Sequence, residues 1–425
     1  MAALEIHMTQ NDVGRRNFLK AAGTGLLILR PETVRGTPAN STVRVGLLGC
    51  GGRGTEVATG MVRNAGARIT ALGDLFEDQL TRAKAHFDTL GTIDSSQLFQ
   101  GPHAHEKMAA SKEVDAIYIA TPPYYHPEHL ATVVAAGKHV YCEKPVGVDV
   151  AGAMRVISIG KQAEGKLSLD VGFQIRQAPP FVELVKRIHD GALGEITCGA
   201  AHYFASTNTR PAWPNVSAVM LRQRNWIYDR VLSGDIIVEQ NIHVIDICNW
   251  VMRGHPVKAA GTGGRKGRND SGNCYSHFDV VFTYADDVHV SFSSTQFGKD
   301  YFDANERFFG TRGASESPYS GRLGIFGGDN PWTYGTSAQQ APSGAFSATG
   351  AFSDNLAQAD SEKQKSWIES IKTGQFHNQA HLGAESALSA MLGRTAAYTG
   401  RAVTWDELLA SNEKWDSGIE LERLV

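Results

Sequence analysis

Several features that would settle a protein's class are scarce in this chain. Its 425 residues hold only five cysteines, Cys50, Cys142, Cys198, Cys248 and Cys274, odd in number, widely spread and without a C-x-x-C pair. That pattern argues against a disulfide scaffold or a zinc framework, and the thiols read as small buried hydrophobes. Charge excess is also small. A net charge of -3 gives no electrostatic reason to expect nucleic acid or an anionic membrane as a partner. The apolar stretch at residues 21–29 is too brief to span a bilayer, and no tandem repeat is evident. What is present is ordinary for a globular protein, 42% hydrophobic and 20% charged. A chain this long exceeds what one core usually fills, so two domains are expected.

Residues 1–40 stand apart from the fold. Arg15-Arg16-Asn17-Phe18-Leu19-Lys20 followed by a short, weakly apolar run is a twin-arginine pattern. It reads as a bacterial Tat signal, which implies a periplasmic protein exported already folded.

The most informative stretch is residues 43–54, an apolar run ending in Gly49-Cys50-Gly51-Gly52-Arg53-Gly54. A strand that runs into G-x-G-x-x-G binds a dinucleotide pyrophosphate: Gly49 permits the tight turn, Gly51 lets backbone amides approach, and Gly54 lets the next helix pack closely. Gly52 and Arg53 lie in the same loop, Arg53 against the adenine or pyrophosphate. Asp74 comes twenty residues later, at the end of a second strand-like segment, where a carboxylate accepts from the adenosine ribose 2'-OH. It would repel a 2'-phosphate, and Leu75 offers no compensating charge, so NAD is favoured over NADP.

Strand-like and helical segments then alternate. Residues 114–120 and 139–142 read as buried parallel strands, with Leu130, Val133 and Val134 at helical spacing between them. This is a doubly wound α/β pattern, and its ligands sit beyond the strands' carboxyl ends. Two loops stand at such ends. One is Thr121-Pro122-Pro123-Tyr124-Tyr125-His126, whose prolines force an extended course and whose Tyr124 and His126 flank a nicotinamide ribose. The other is Glu143-Lys144-Pro145, in which Lys144 is aimed into the cleft. Gln174 contacts the same ribose or caps its strand.

The order and spacing of G-x-G-G-R-G, A-T-P-P-Y-Y-H and E-K-P over residues 43–405 resemble the Gfo/Idh/MocA family of nicotinamide-dependent sugar and polyol oxidoreductases. The resemblance implies an N-terminal Rossmann domain, residues 41–176, and a C-terminal α+β domain, residues 177–425, with an open, mainly antiparallel sheet that pairs subunits into a dimer or tetramer. It places Lys144 beside the nicotinamide and the reacting hydroxyl, before a proline that is often cis. It also implies a downstream helix bearing an acidic residue and a histidine. Here that helix carries Glu239, His243 and Asp246, on one face at spacings of four and three. The family usually has aspartate and glycine where this chain has Glu239 and Asn241.

Oxidising a carbinol requires a base for the hydroxyl proton while hydride leaves carbon. His243 is assigned as general acid/base, Lys144 as electrostatic partner and proton relay, and Glu239 as the group orienting His243 or a sugar hydroxyl. A metal site on Glu239, His243 and Asp246 is disfavoured, because helical spacing makes such clusters common.

For the second domain, Phe181, Leu184, Val185 and Ile188 mark an amphipathic helix, and residues 196–204, 277–284 and 288–294 mark strands. Residues 310–351 read as a long loop, a sugar lid or a solvated insertion. Arg176, Arg224, Trp226 and Tyr228, together with Glu239 and His243, are the sugar-binding candidates, since aromatic faces and multi-donor side chains suit a pyranose. Three functions compete. One is an NAD-dependent dehydrogenase of a sugar or polyol. Another is a redox-neutral NAD-dependent glycoside hydrolase, and the third is a sugar-binding scaffold with a vestigial nucleotide site.

Overall fold

The computed structural model describes residues 42–206, 211–297, 301–335 and 353–425. The twin-arginine leader lies outside them.

Among the described residues six strands form the first sheet: β1 (Arg44–Leu48), β2 (Arg68–Asp74), β3 (Leu98–Gln100), β4 (Ala116–Ile119), β5 (His139–Cys142) and β6 (Leu169–Val171). All pair in parallel, in the order β3-β2-β1-β4-β5-β6. Helices cover both faces, which is why β4 and β6 are buried at every position instead of alternating. The order reverses between β1 and β4, and a cleft opens beyond the carboxyl ends of those strands. One layer of this core comes from far along the chain. Trp367 and Ile368, on helix Ala359–Thr373, pack with Val45, Leu47 and Tyr118, and that helix lies on Gly52–Ala65.

The second sheet has nine strands among the described residues. They are β7 (Ile196–Ala205), β8 (Lys258–Gly264), β9 (His277–Thr283), β10 (His289–Gln296), β11 (Phe302–Gly310), β12 (Ala314–Glu316), β13 (Leu323–Phe326), β14 (Trp332–Tyr334) and β15 (Val403–Thr404). Their order is β14-β13-β12-β11-β7-β10-β9-β8-β15, with β7 and β10 parallel and the other neighbours antiparallel. Helices Ile242–Met252 and Ala380–Thr399 cover one face, so Val290 and Phe292 of β10 are buried while Ser291 between them is exposed. The opposite face presents Val281 and Phe309 to solvent.

Two expectations are corrected here. The supposed loop at 310–351 supplies β12, β13 and β14 and the buried Tyr319. These strands are three or four residues long and separated by glycine turns, too short for a period of two to show. Its residues 336–351 lie outside the described ones. Cys198 is exposed on the open face, whereas the other four thiols are buried, and all five are free.

Candidate active site

The loop after β1 is shaped by close approach. Gly49 has φ +98°, and a Cβ there would stand 2.5 Å from the Ala120 carbonyl carbon. A Cβ on Gly54 would collide with the Gly49 carbonyl oxygen, while one on Gly51 would project into open space. Helix Gly52–Ala65 begins without a side-chain cap or an acidic residue in its first turn. Its first N–H groups and positive dipole end are thus left for an anion. This cradle fits a dinucleotide pyrophosphate. The cleft above it, about 310 Å³, is lined by Gly49, Gly51, Gly52, Asp74, Thr121 and Pro122 among others. Asp74 accepts from the backbone N–H of Cys50 at 2.7 Å and of Phe76 at 2.9 Å. Burial raises its carboxyl to about 6.

The Lys144–Pro145 bond is cis. Lys144 Nζ donates to the Glu239 carbonyl oxygen at 2.5 Å and lies 3.3 Å from Glu239 Oε1, both side chains being largely buried. Glu239 ends the short helix Ile236–Glu239, which is anchored by Asp235 at φ +77°. The buried Asp235 carboxylate accepts from the N–H groups of Ile236 and Tyr275 and from the Tyr398 hydroxyl. Those contacts hold a backbone conformation that an aspartate rarely adopts.

The helix then breaks at Gln240 and Asn241 and resumes at Ile242–Met252. His243, partly buried, meets Phe173 edge-on at 6.3 Å, and its Nδ1 has no hydrogen-bond partner. Burial, followed by the charges of Lys144 and Arg53, pushes the imidazole well below its ordinary value, so it is neutral near pH 7. Asp246 lies three residues on in the same helix. It is buried in a two-point ion pair with Arg176, at 2.8 and 3.0 Å, and accepts from Ser386.

Other candidates are placed as follows. Glu143 is buried and accepts from Tyr118 Oη at 2.9 Å and Arg53 Nε at 3.2 Å. Arg53 also holds Asp360 through both terminal nitrogens, at 2.9 and 2.7 Å, so its guanidinium joins two domain layers and is not free for a phosphate. His126 is buried with its ring nitrogens 2.7 Å from the Pro145 and Thr121 carbonyls, which ties the two cleft loops together. Tyr124 Oη contacts the backbone of Trp415 and Ser417, away from the cleft. Pro123 is buried in the turn that carries it. Gln174 is buried with Oε1 unpartnered. Arg176 stacks over Trp250, and Tyr228 is buried beneath Arg268. Arg224 and Trp226 line the cleft at its Asp74 end. Tyr125, His129, Trp213 and Gln223 line it as well, beyond the residues that the sequence assigns to the site. Tyr125 was within reach of sequence reading, being next to Tyr124 in a loop already singled out. Among the described residues, no group of three His, Cys, Asp or Glu is placed to hold a metal.

Comparison with known proteins agrees with this geometry. Residues 43–171 match the model described as the oxidoreductase family NAD-binding Rossmann fold, and residues 181–316 match the GFO/IDH/MocA C-terminal domain. The chain is 28% identical over 280 residues to an inositol 2-dehydrogenase of Rhizobium meliloti, covering 64% of this chain and 74% of that protein. The next relatives are matched over 54% and 55% of their length. A glycosyl hydrolase family 109 protein of Streptomyces coelicolor is 27% identical over 165 residues, covering 39% of this chain and 34% of that one. The aldose-aldose oxidoreductase of Caulobacter crescentus, solved with glycerol, superposes with a TM-score of 0.67 at 19% identity over 86% of this chain and 100% of its own. That likeness shows the fold. With the nucleotide-binding domain and the second domain both matched in order, this chain belongs to the Gfo/Idh/MocA family of NAD-binding oxidoreductases.

Proposed function

We propose that this protein oxidises a secondary alcohol of a sugar, sugar derivative or polyol, with NAD as the hydride acceptor. One observation carries the reading: Lys144 is fixed on Glu239, and across the break at Gln240 and Asn241 stands a neutral His243 whose Nδ1 has no hydrogen-bond partner. Bound NAD supplies an electrophilic ring that takes up hydride. The cradle of Gly49, Gly51 and Gly52 would hold its diphosphate, and Asp74 its adenosine ribose.

The protein's own groups do the rest. The Lys144 ammonium stabilises negative charge developing on the carbinol oxygen, and the low-dielectric setting strengthens that effect. The neutral His243 imidazole takes the hydroxyl proton on its unprotonated ring nitrogen as the carbonyl forms. Glu239 keeps Lys144 in place.

A second reading is a redox-neutral glycosidase, in which oxidation of the carbinol acidifies the neighbouring C–H, a leaving group is eliminated, water adds and the ketone is reduced again. The match to the family 109 hydrolase favours it, as does the twin-arginine leader, since a cofactor cycling in place suits export. We read the protein as exported to the bacterial periplasm. Its open sheet face, with Val281 and Phe309 exposed, would pair subunits into a dimer or tetramer.

The deciding experiment incubates pure protein with inositols, sugars and aryl glycosides while following nicotinamide absorbance and aglycone release. Net NAD reduction supports the dehydrogenase. Aglycone release without net absorbance change supports the hydrolase. Sugar binding with neither signal would overturn both.

A further inference from the structure

The Asp74 end of the cleft holds more positive charge than an NAD site needs. Arg82 and Arg224 both line it, the first from helix Glu77–Phe87, the second from helix Ala218–Arg224 of the other domain. Two guanidiniums beside the end of β2 are what a 2'-phosphate would need, because arginine recognises phosphate through paired N–H groups.

Neither arginine is free. Asp78, in the first turn of its helix, takes Arg224 Nη1 at 3.0 Å and Nη2 at 2.8 Å, and Arg82 Nη2 stands 3.5 Å from the same carboxylate. The Arg224 guanidinium is also fixed face-on, 3.6 Å from the Phe76 ring centre and 4.5 Å from that of Trp213. Asp74 accepts from backbone amides through both oxygens, and Arg224 is paired with Asp78. The two acids and two bases cancel, which leaves no net positive charge to receive a dianion. The Asp78 carboxyl lies below its ordinary range chiefly through its hydrogen bond to Arg224, so it stays ionised near pH 7.

We propose that Asp78 is a specificity-determining residue for the cofactor: by holding Arg224, and more loosely Arg82, it withholds from a 2'-phosphate the two guanidiniums it would otherwise meet. Cofactor choice is then set across the domain boundary, by a first-domain carboxylate on a second-domain cation. This rests on the reading that the cleft binds NAD.

The test is calorimetric titration of the nucleotide-free full-length protein, with NAD+ and NADP+ separately, for wild type, D78A, the near-isosteric D78N and D78A/R224A. The ratio of the two Kd values is expected to move toward NADP+ by about tenfold or more in D78A and D78N. Removal of Arg224 in the D78A background should reverse most of that gain. An unchanged ratio in both single variants, with NAD+ still bound, overturns the proposal. So does a gain that survives loss of Arg224. Failure of the wild type to bind either nucleotide is distinguishable, because it overturns the reading of the cleft as well.

Discussion

The Lys144 cluster and the Asp74 end of the cleft handle charge in opposite ways. Around Lys144, Glu239 and His243 the groups are largely buried, and burial itself keeps the imidazole uncharged. Around Asp78, Arg82 and Arg224 the charges are paired with one another, Asp78 being 44% exposed and held below its ordinary range by its hydrogen bond to Arg224. A reacting centre needs a fixed cation beside an empty base, and water would weaken the first and solvate the second. A recognition site instead gains by reversible pairing, since specificity is a difference between two affinities. Substitutions at the first should therefore change rate with little change in cofactor affinity, and those at the second should do the reverse.

The sharpest way to break that contrast is Lys144→Ala. Turnover is expected to fall on the order of 10³-fold, with the Kd for NAD changed by no more than about threefold. A rate within a factor of about ten of wild type, read from steady-state kinetics on whichever alcohol the native enzyme oxidises, would remove Lys144 from the chemistry.

The next effect concerns the buried histidines. Burial pushes His126 down to about 4 and holds His129 and His243 well below their ordinary value. Below the ordinary value of 6.5, the unfolded chain takes up protons that the folded one refuses. Stability present above that pH is therefore lost as pH falls toward 4, by on the order of 3 kcal/mol from His126 alone. Denaturant melts across this window should show the loss, and a flat profile would mean these rings are hydrated. Glu239→Gln comes third. The closer partner of Lys144 is a backbone carbonyl, which the substitution keeps, so kcat/KM should drop only about tenfold. A loss as large as that of Lys144→Ala would make the carboxylate a direct participant.

What was legible in the chain divides along the same line. Gly49, Gly51, Gly54, Asp74 and Lys144 could be found because local backbone geometry demands those residue types at those spacings. Arg224 was placed with the sugar, since no local signal shows that a residue 146 positions after Asp78 closes on it. Arg176 and Asp246 look like site residues by type, yet they neutralise each other across 70 positions. Helical periodicity put Glu239, His243 and Asp246 on one face. The break at Gln240 and Asn241, which no proline or glycine announces, sets Glu239 on a separate helix from His243 and Asp246. Trp367 completes the first core from the far end of the chain, and composition could not have shown it.

The smallest expected effect tests the Asp74 end through a single proton. Burial holds the Asp74 carboxyl near 6, and the amides of Cys50 and Phe76 only partly offset that. Above that pH its ionised oxygens accept from the amides and retain capacity for a ribose hydroxyl; below it, one oxygen carries a proton and acceptance weakens. NAD affinity should therefore decline as pH falls through about 6, by roughly fivefold, while turnover of the saturated enzyme is unaffected in that range. Asp74→Asn, which cannot titrate, should bind NAD at the weaker level throughout and give a flat line. If the wild type is flat as well, the ribose is held by some other group. If rate and affinity fall together, the two clusters are coupled, and the division between a buried reacting cluster and a separate recognition site does not hold.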